Sequence, residues 1–416
     1  MMNRSEIDIP FDSSFINGLL NEAGVPTDEF SRFLVGIRRN LHRNPELGFE
    51  EHRTSAFIRT VLEEHGFKVH GPIALTGLFV DIEGGRPGPK VGYRADIDAL
   101  PTQDAKSSVY ASATAGVAHL CGHDVHTTIA LGVAFLLRAR QSEMSGTVRV
   151  FFQPNEEGSP GGAASMIGAG VLDGLEAVYA VHVDPSLEVG KYGLIVGPVT
   201  AATDQFRVTV QSRSTGHSAR PHEAADTMWV AIQICNSVYQ LIGRVTDARN
   251  PAVLTICRFR GGEAYNVIPA SVEFGGTLRT TIEEDRDTLI QRIKRLATDV
   301  AAQNGTNVDI EFGNGSPPVD NDPTLIAHLE STIRDVFGDE AIFHVPRPSM
   351  GAEDFAHYLK HVPGALLRVG TFSGPENSFP LHDAHFDIDE RAIAPTALLF
   401  ARVLHGHLEK RILSRS

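Results

Sequence analysis

Lys90-Val-Gly-Tyr-Arg-Ala-Asp96-Ile-Asp98-Ala-Leu-Pro101 begins as an apolar strand and ends in two acids two residues apart. An apolar strand finished by ionisable groups is the signature of an open α/β sheet, which binds ligands outside the carboxyl ends of its strands. Two further stretches repeat the pattern. Residues 147–153 run into Pro154-Asn-Glu156-Glu157-Gly158, and residues 177–183 carry His182 just before Asp184-Pro185. Upstream, residues 78–82 read as another strand, while 33–41, 53–65 and 127–140 place apolar residues at helical spacing. Helices alternating with strands predict an α/β domain, a sheet covered by helices.

From Gln205 the pattern changes. Residues 206–211 read as a strand, 225–244 as a helix, 252–259 and 272–279 as strands, 283–303 as a helix and 308–312 as a strand. That β-α-β-β-α-β order is the ferredoxin-like α+β unit. Residues 313–323, rich in Gly, Pro, Asn and Asp, form a turn-rich linker, after which helix and strand patterns return. A chain of 416 residues exceeds the ~250–300 that one hydrophobic core supports. The sequence therefore predicts a discontinuous domain, 1–204 and 313–416, with 205–312 inserted.

Composition bounds the partners. With 42% hydrophobic and 21% charged residues the chain is an ordinary globular one. Its 37 basic residues against 51 acidic ones give a formal charge of −14, which argues against nucleic acid or an anionic membrane and for a small-molecule partner. Three cysteines, Cys121, Cys235 and Cys257, are too few for a disulfide framework and suggest a reducing compartment. Met1-Met-Asn-Arg-Ser-Glu-Ile-Asp8 lacks a leader pattern, and the apolar run 129–137 falls short of the ~20 residues that span a bilayer. A cytoplasmic protein is the expectation.

The densest chemistry lies in His119-Leu-Cys121-Gly-His123-Asp124-Val-His126. A thiolate and an imidazole flanking a glycine can converge on one zinc-like cation. Taken alone, the segment fits a structural cysteine beside surface histidines equally well. Glu156 and Glu157 are adjacent carboxylates at a strand end, so one can bind metal while the other moves protons. A solvated pair in a turn would look the same. Position changes the balance, because Asp96, Asp98, Glu156, Glu157 and His182 all fall at strand ends. Together with His382 of Leu381-His-Asp-Ala-His385, the donors Cys121, His123, Glu157 and His182 make five, enough for two metals sharing a ligand and too many for one closed tetrahedral site.

These segments, with Gly216-His217-Ser-Ala-Arg-Pro-His222, Asn266-Val-Ile-Pro269 and Met350-Gly-Ala-Glu353-Asp354-Phe355, resemble the M20 metallopeptidase family. The resemblance is to its amidohydrolase branch, which holds hippurate hydrolases, auxin-conjugate (IAA-amino acid) hydrolases and N-acetyl-diaminopimelate deacetylases, and it runs from about Arg38 to Arg402. It implies a three-layer aminopeptidase-like catalytic domain with an inserted lid or dimerisation domain. Carried over by position, it implies Cys121, His123, Glu157, His182 and His382 as ligands of two divalent ions, zinc or manganese first and cobalt or nickel otherwise, with Cys121 where relatives carry a bridging Asp. Glu156 is then the general base, His217 the donor to the oxyanion, and Asp98 the residue that orients a ligand. Asn266 and Arg279 are implied substrate contacts, Glu353 and Asp354 loop stabilisers, and Ala384-His385 departs from the Pro-Lys of many relatives. The implied activity is hydrolysis of N-acyl (N-acetyl, N-benzoyl or similar) amino acids by a homo-oligomer paired through the lid.

Two other readings compete. A dipeptidase or carboxypeptidase of the same fold would take unblocked peptides, and a catalytically silent metal-binding scaffold would need neither Glu156 nor His217. The chain holds no His-Glu-x-x-His and no phosphate-binding Gly-x-x-x-x-Gly-Lys run. Cys235 and Cys257, in apolar contexts, are expected as small buried hydrophobes.

Overall fold

The computed structural model describes residues 18–21, 24–313, 315–410 and 412–413. The stretch Met1–Asp8 read for a leader, Asn314 of the linker and Ser416 lie outside them. Local chemistry accounts for the helices. In Asp28–Arg43 the buried Phe30, Phe33, Leu34, Ile37 and Leu41 recur on one face, Thr27 accepts the Phe30 N–H, and Asp28 and Glu29 complement the positive end. Pro323–Phe337 starts with proline in its first turn and Asp322 capping two N–H groups.

The described chain divides into two compact units. The larger takes the chain up to Gly197, then Asp320–Pro346 and the chain from His357 onward. Its eight-stranded sheet has the order Val69–Ile73, Gly77–Glu83, Ser145–Gln153, Arg86–Asp96, Ala177–Glu188, Gly364–Phe372, Tyr192–Leu194, Ile342–His344. The four middle strands, Ser145–Gln153 to Gly364–Phe372, run parallel, and both pairs at the Val69–Ile73 end are antiparallel. Strand order reverses around Arg86–Asp96, whose two neighbours are the next long strands on either side. That switch point is where open α/β sheets take their ligands. Helices Asp28–Arg43, His123–Ala139 and Ile393–Lys410 pack on one another, and the last two lie against Arg86–Asp96. The architecture is the mixed α/β one expected, with the outer strands Val69–Ile73, Tyr192–Leu194 and Ile342–His344 added to it.

The smaller unit comprises Pro198–Val319 and Arg347–Ala356. Its antiparallel sheet has the order Ala252–Gly261, Ser271–Thr280, Ala202–Gln211, Asn307–Phe312, and helices Thr227–Val245 and Glu283–Gln303 pack together over it. A separate core of Phe206, Val208, Val230, Ile234, Phe274, Leu289 and Ile293 holds it. The unit begins at Pro198 rather than Gln205, and it takes in the Met350–Phe355 motif. Backbone bonds from Ser349 to the Val199 carbonyl and from Ala201 to the Gly351 carbonyl explain that inclusion. Cys257 is exposed on the edge strand Ala252–Gly261 and Cys235 is half-buried, which corrects the expectation of two core cysteines. Among the described residues no helix is long and apolar enough to cross a membrane.

Candidate metal centre

Leu120-Cys121-Gly122-His123 turns the chain into helix His123–Ala139. Gly122 has φ +86°, and a Cβ there would meet Val183 Cγ2 at 2.4 Å. Only glycine permits both the turn and the close approach to the strand that carries His182. The His123 ring is then oriented by Asp98, with Nδ1 3.0 Å from the Asp98 carbonyl and 3.1 Å from Oδ1. Both partners are acceptors, so Nδ1 carries the proton and Nε2 faces inward, buried and without a hydrogen-bond partner among the described residues. Asp98 Oδ2 also accepts the Glu157 N–H at 2.9 Å. One carboxylate thus sets an imidazole and the backbone of a neighbouring acid.

His182 presents the same arrangement by another route. Its Nδ1 donates to the Val183 carbonyl at 2.8 Å, leaving Nε2 3.5 Å from Cys121 Sγ. Burial, helped by His126, drives its pKa down to about 3, so the ring is neutral and Nε2 offers a lone pair. Burial pushes the Cys121 thiol up against the pull of His123. Burial likewise opposes a charge on His123, but Asp96 and then Asp98 outweigh it and hold its pKa well above the ordinary value. A cation is stabilised at this point in the fold. From the far side His382, in a loop with its own φ at +70°, brings Nε2 to 3.1 Å from Glu157 Oε1. Its N–H donates to the Leu120 carbonyl at 2.8 Å, stitching that loop to the Cys121 turn.

Two sets of potential ligand atoms emerge. Cys121, His123 and His182 offer atoms all within 4.8 Å of one another, and so do Cys121, Glu157 and His382. The sets share Cys121 and together contain all five donors proposed from sequence. The donor chemistry, one thiol, three imidazoles and a carboxylate, suits zinc and its first-row neighbours. His123, Glu156 and Glu157 form a further group, with Glu156 Oε2 3.8 Å from His123 Nε2. Asp96, His123 and His126 are also close, but His126 is fully engaged. Its Nδ1 donates to Asp96 Oδ1 at 2.7 Å, and its Nε2 accepts the Val183 N–H at 3.0 Å. Asp96 is likewise held by Arg94 at 2.7 Å, both side chains fully buried.

Sequence reasoning missed the support behind the Cys121 turn. Arg38 is buried and donates to Asp124 Oδ2 at 2.9 Å, Asp387 Oδ1 at 2.7 Å and Glu390 Oε1 at 3.3 Å. His42 Nδ1 lies 2.8 Å from Asp124 Oδ2, and its Nε2 3.4 Å from Asp104 Oδ2. Asp124 follows His123, and Asp387 lies in the loop of His382, so one guanidinium braces both sides of the centre. The signal was present as an Arg and a His four residues apart on the apolar face of helix Asp28–Arg43.

In the smaller unit, Gly216–His217 pairs antiparallel with Val267–Ile268, and the Ser218 N–H donates to the Asn266 carbonyl. His217 and Asn266 are thereby neighbours, both exposed. His217 Nδ1 accepts the Ala219 N–H at 3.1 Å, which leaves the proton on Nε2. Arg279, on Ser271–Thr280, gives Nη1 to the Met350 carbonyl at 2.7 Å rather than to a surface carboxylate. The Glu353 carboxylate accepts the Phe355 N–H, and its side chain, like that of Asp354, is buried.

A family model described as peptidase family M20/M25/M40 matches residues 92–406. The N-acetyl-L-cysteine deacetylase of Bacillus subtilis (strain 168) is 38% identical over 384 residues, 91% of this chain and 90% of that protein. The Arabidopsis thaliana IAA-amino acid hydrolase ILR1-like 4 is 35% identical over 386 residues, covering 92% and 87%. Among solved structures, the Bacillus subtilis YXEP protein, a dinuclear metal binding peptidase from the M20 family, superposes with a TM-score of 0.81 at 34% identity, covering 92% of this chain and 99% of that one.

Proposed function

The chain belongs to peptidase family M20/M25/M40 and is a metallo-amidohydrolase; on that premise we propose that it cleaves the amide bond of N-acyl amino acids, releasing a carboxylic acid and a free amino acid. The observation that carries the proposal is the pair of donor sets meeting at Cys121. Cys121, His123 and His182 would hold one divalent ion, and Cys121, Glu157 and His382 a second. When bound, such a pair supplies an acidified water and polarises the scissile carbonyl.

The remaining roles belong to the chain. Asp98 keeps a proton on His123 Nδ1, so that Nε2 is the nitrogen a bound cation would take, displacing its proton, and it fixes the Glu157 backbone. Glu156 takes the proton of the attacking water and passes it to the leaving nitrogen. His217, protonated at Nε2, donates to the oxyanion that develops on the carbonyl. Asn266 is assigned to the substrate carbonyl, and Arg279 to its carboxylate through the planar fork. A dimer formed through the smaller unit belongs to the same proposal. Trp229, Ile232, Tyr239, Val253 and Phe259 are exposed there on helix Thr227–Val245 and edge strand Ala252–Gly261, and the molar mass in solution tests it.

The deciding experiment strips the metal and reloads zinc, manganese, cobalt or nickel in turn. Each form is assayed on N-acetyl, N-benzoyl and indole-acyl amino acids and on free dipeptides. Turnover of the acylated set is expected. Activity on dipeptides alone would make the protein a dipeptidase of the same fold, and full occupancy without hydrolysis of either class would make it a silent scaffold.

A further inference from the structure

Helix Asp28–Arg43 turns a second face outward, on which Arg32, Arg39 and Arg43 follow one another at helical spacing. With Val109, Tyr110, Glu390 and Arg391 opposite, this face bounds a groove of about 680 Å³ that shares no lining residue with the metal centre. Four guanidiniums and a single carboxylate line it, on a chain whose formal charge is −14. Arg39 and Arg391 are fixed by Glu390 and Asp389. Arg43 gives one N–H to the Val109 carbonyl, and Arg32 has no carboxylate partner among the described residues. The opposite wall is rigid before anything binds: Tyr110 donates to Asp387 at 2.8 Å, and the Arg38 and Arg39 guanidiniums each lie 4.9 Å from its ring centre.

Gly36 is the second, independent observation. Glycine in a helix interior is destabilising relative to alanine. Here its φ is ordinary, and a Cβ would meet nothing within 4 Å. Neither the backbone nor internal packing calls for glycine. Gly36 does line the groove, where any side chain would occupy its floor.

We propose that this groove binds a small oxyanion with two or more negative charges and a short apolar body, that is, a phosphorylated or polycarboxylate metabolite. Guanidinium forks match either oxyanion bidentately, and Val35, Val109 and the Tyr110 ring give the apolar portion a surface. The site stands apart from the hydrolytic reading and does not rest on it.

Isothermal titration of the metal-loaded protein at fixed ionic strength tests this, with a sugar bisphosphate as the phosphate probe and tricarballylate as the carboxylate probe. Benzoate serves as the singly charged control. One molecule of the bisphosphate or of tricarballylate is expected to bind per chain, and which of them binds identifies the source chemistry. Both Arg32→Glu/Arg43→Glu and, separately, the charge-neutral Gly36→Leu should weaken that binding about tenfold or more, while basal hydrolysis is unchanged. Binding that survives in both variants, equal binding of benzoate, or no binding of either probe would overturn the proposal.

Discussion

At Gly122 a single hydrogen atom in place of a side chain permits the turn on which Cys121 and His123 converge. Gly122→Ala must hold a methyl group at φ +86° and against Val183. We expect a loss of about 1–3 kcal/mol in stability from the backbone alone, with reduced metal content measured by elemental analysis. Glu156→Gln probes the chemistry without disturbing the ligands. Turnover should fall by roughly 10²–10⁴ while bound metal stays constant, and an active variant would remove Glu156 as the base. The same scale marks where sequence reading stops. His126 sits in the motif beside the ligands, yet its engagement with Asp96 and the Val183 N–H depends on two strands and a helix meeting in space. No spacing encodes that. Burial keeps the Cys121 thiol protonated until a cation arrives, which its place in the motif does not encode.

Elements were legible in proportion to the length of their apolar pattern. The strands Ser145–Gln153 and Ala177–Glu188 carry dense apolar runs, and the helices Asp28–Arg43 and Glu283–Gln303 carry apolar residues sustained at helical spacing, as in Leu289, Ile293, Ala297 and Ala301, so they stand out in the sequence. Val69–Ile73, written Val-His-Gly-Pro-Ile, and Ile342–His344 do not, because edge strands need no apolar alternation and tolerate glycine and proline, and Tyr192–Leu194, buried and paired on both sides, is too short to show a period. The ion-pair brace is an element-scale feature of the same hidden kind. Arg38→Met would take the guanidinium from buried Asp124 and half-buried Asp387, while Glu390 keeps Arg39, a cost of about 3–5 kcal/mol that denaturant unfolding would measure. Asp98→Ala acts more locally. By freeing the His123 ring and the Glu157 backbone it should weaken metal binding by ~10–100-fold, read by competition with a chromophoric chelator.

For the whole molecule, protonation and metal content set the limits of stability. Burial, with His328, lowers the pKa of His407 to about 4, whereas the unfolded chain protonates near 6.5. Between those values the unfolded state binds the extra proton, so stability falls as pH drops from about 6.5 towards 4 and this contribution levels off below. Melting of the metal-free protein across that range should show the decline, and His407→Gln should make it shallower, with His119 and His182, both lowered to about 3, supplying the remainder. The smaller unit has its own core and none of the five proposed ligands. Chelation is therefore expected to lower the unfolding temperature of the larger unit alone, by the equivalent of about 4 kcal/mol if metal had been present at a thousand times its dissociation constant. Calorimetry with and without chelator would resolve the two transitions. A melt in which both units shift together would contradict the assignment.

The pairing of Ala177–Glu188 with Gly364–Phe372 also bears on how the chain emerges from the ribosome. The earlier strand, carrying His182, has to wait for a neighbour that is translated only after the entire smaller unit. At typical elongation rates that delay is roughly 10–40 s. The contiguous stretch Pro198–Val319 can complete its own sheet in the meantime, while a long apolar edge stays uncovered. His382 and the closing helix Ile393–Lys410 come later still. Assembly of the metal centre is thus postponed until His382 has been made, so nascent chains of this protein should depend on holdase protection up to that point, and metallation should follow the emergence of that loop.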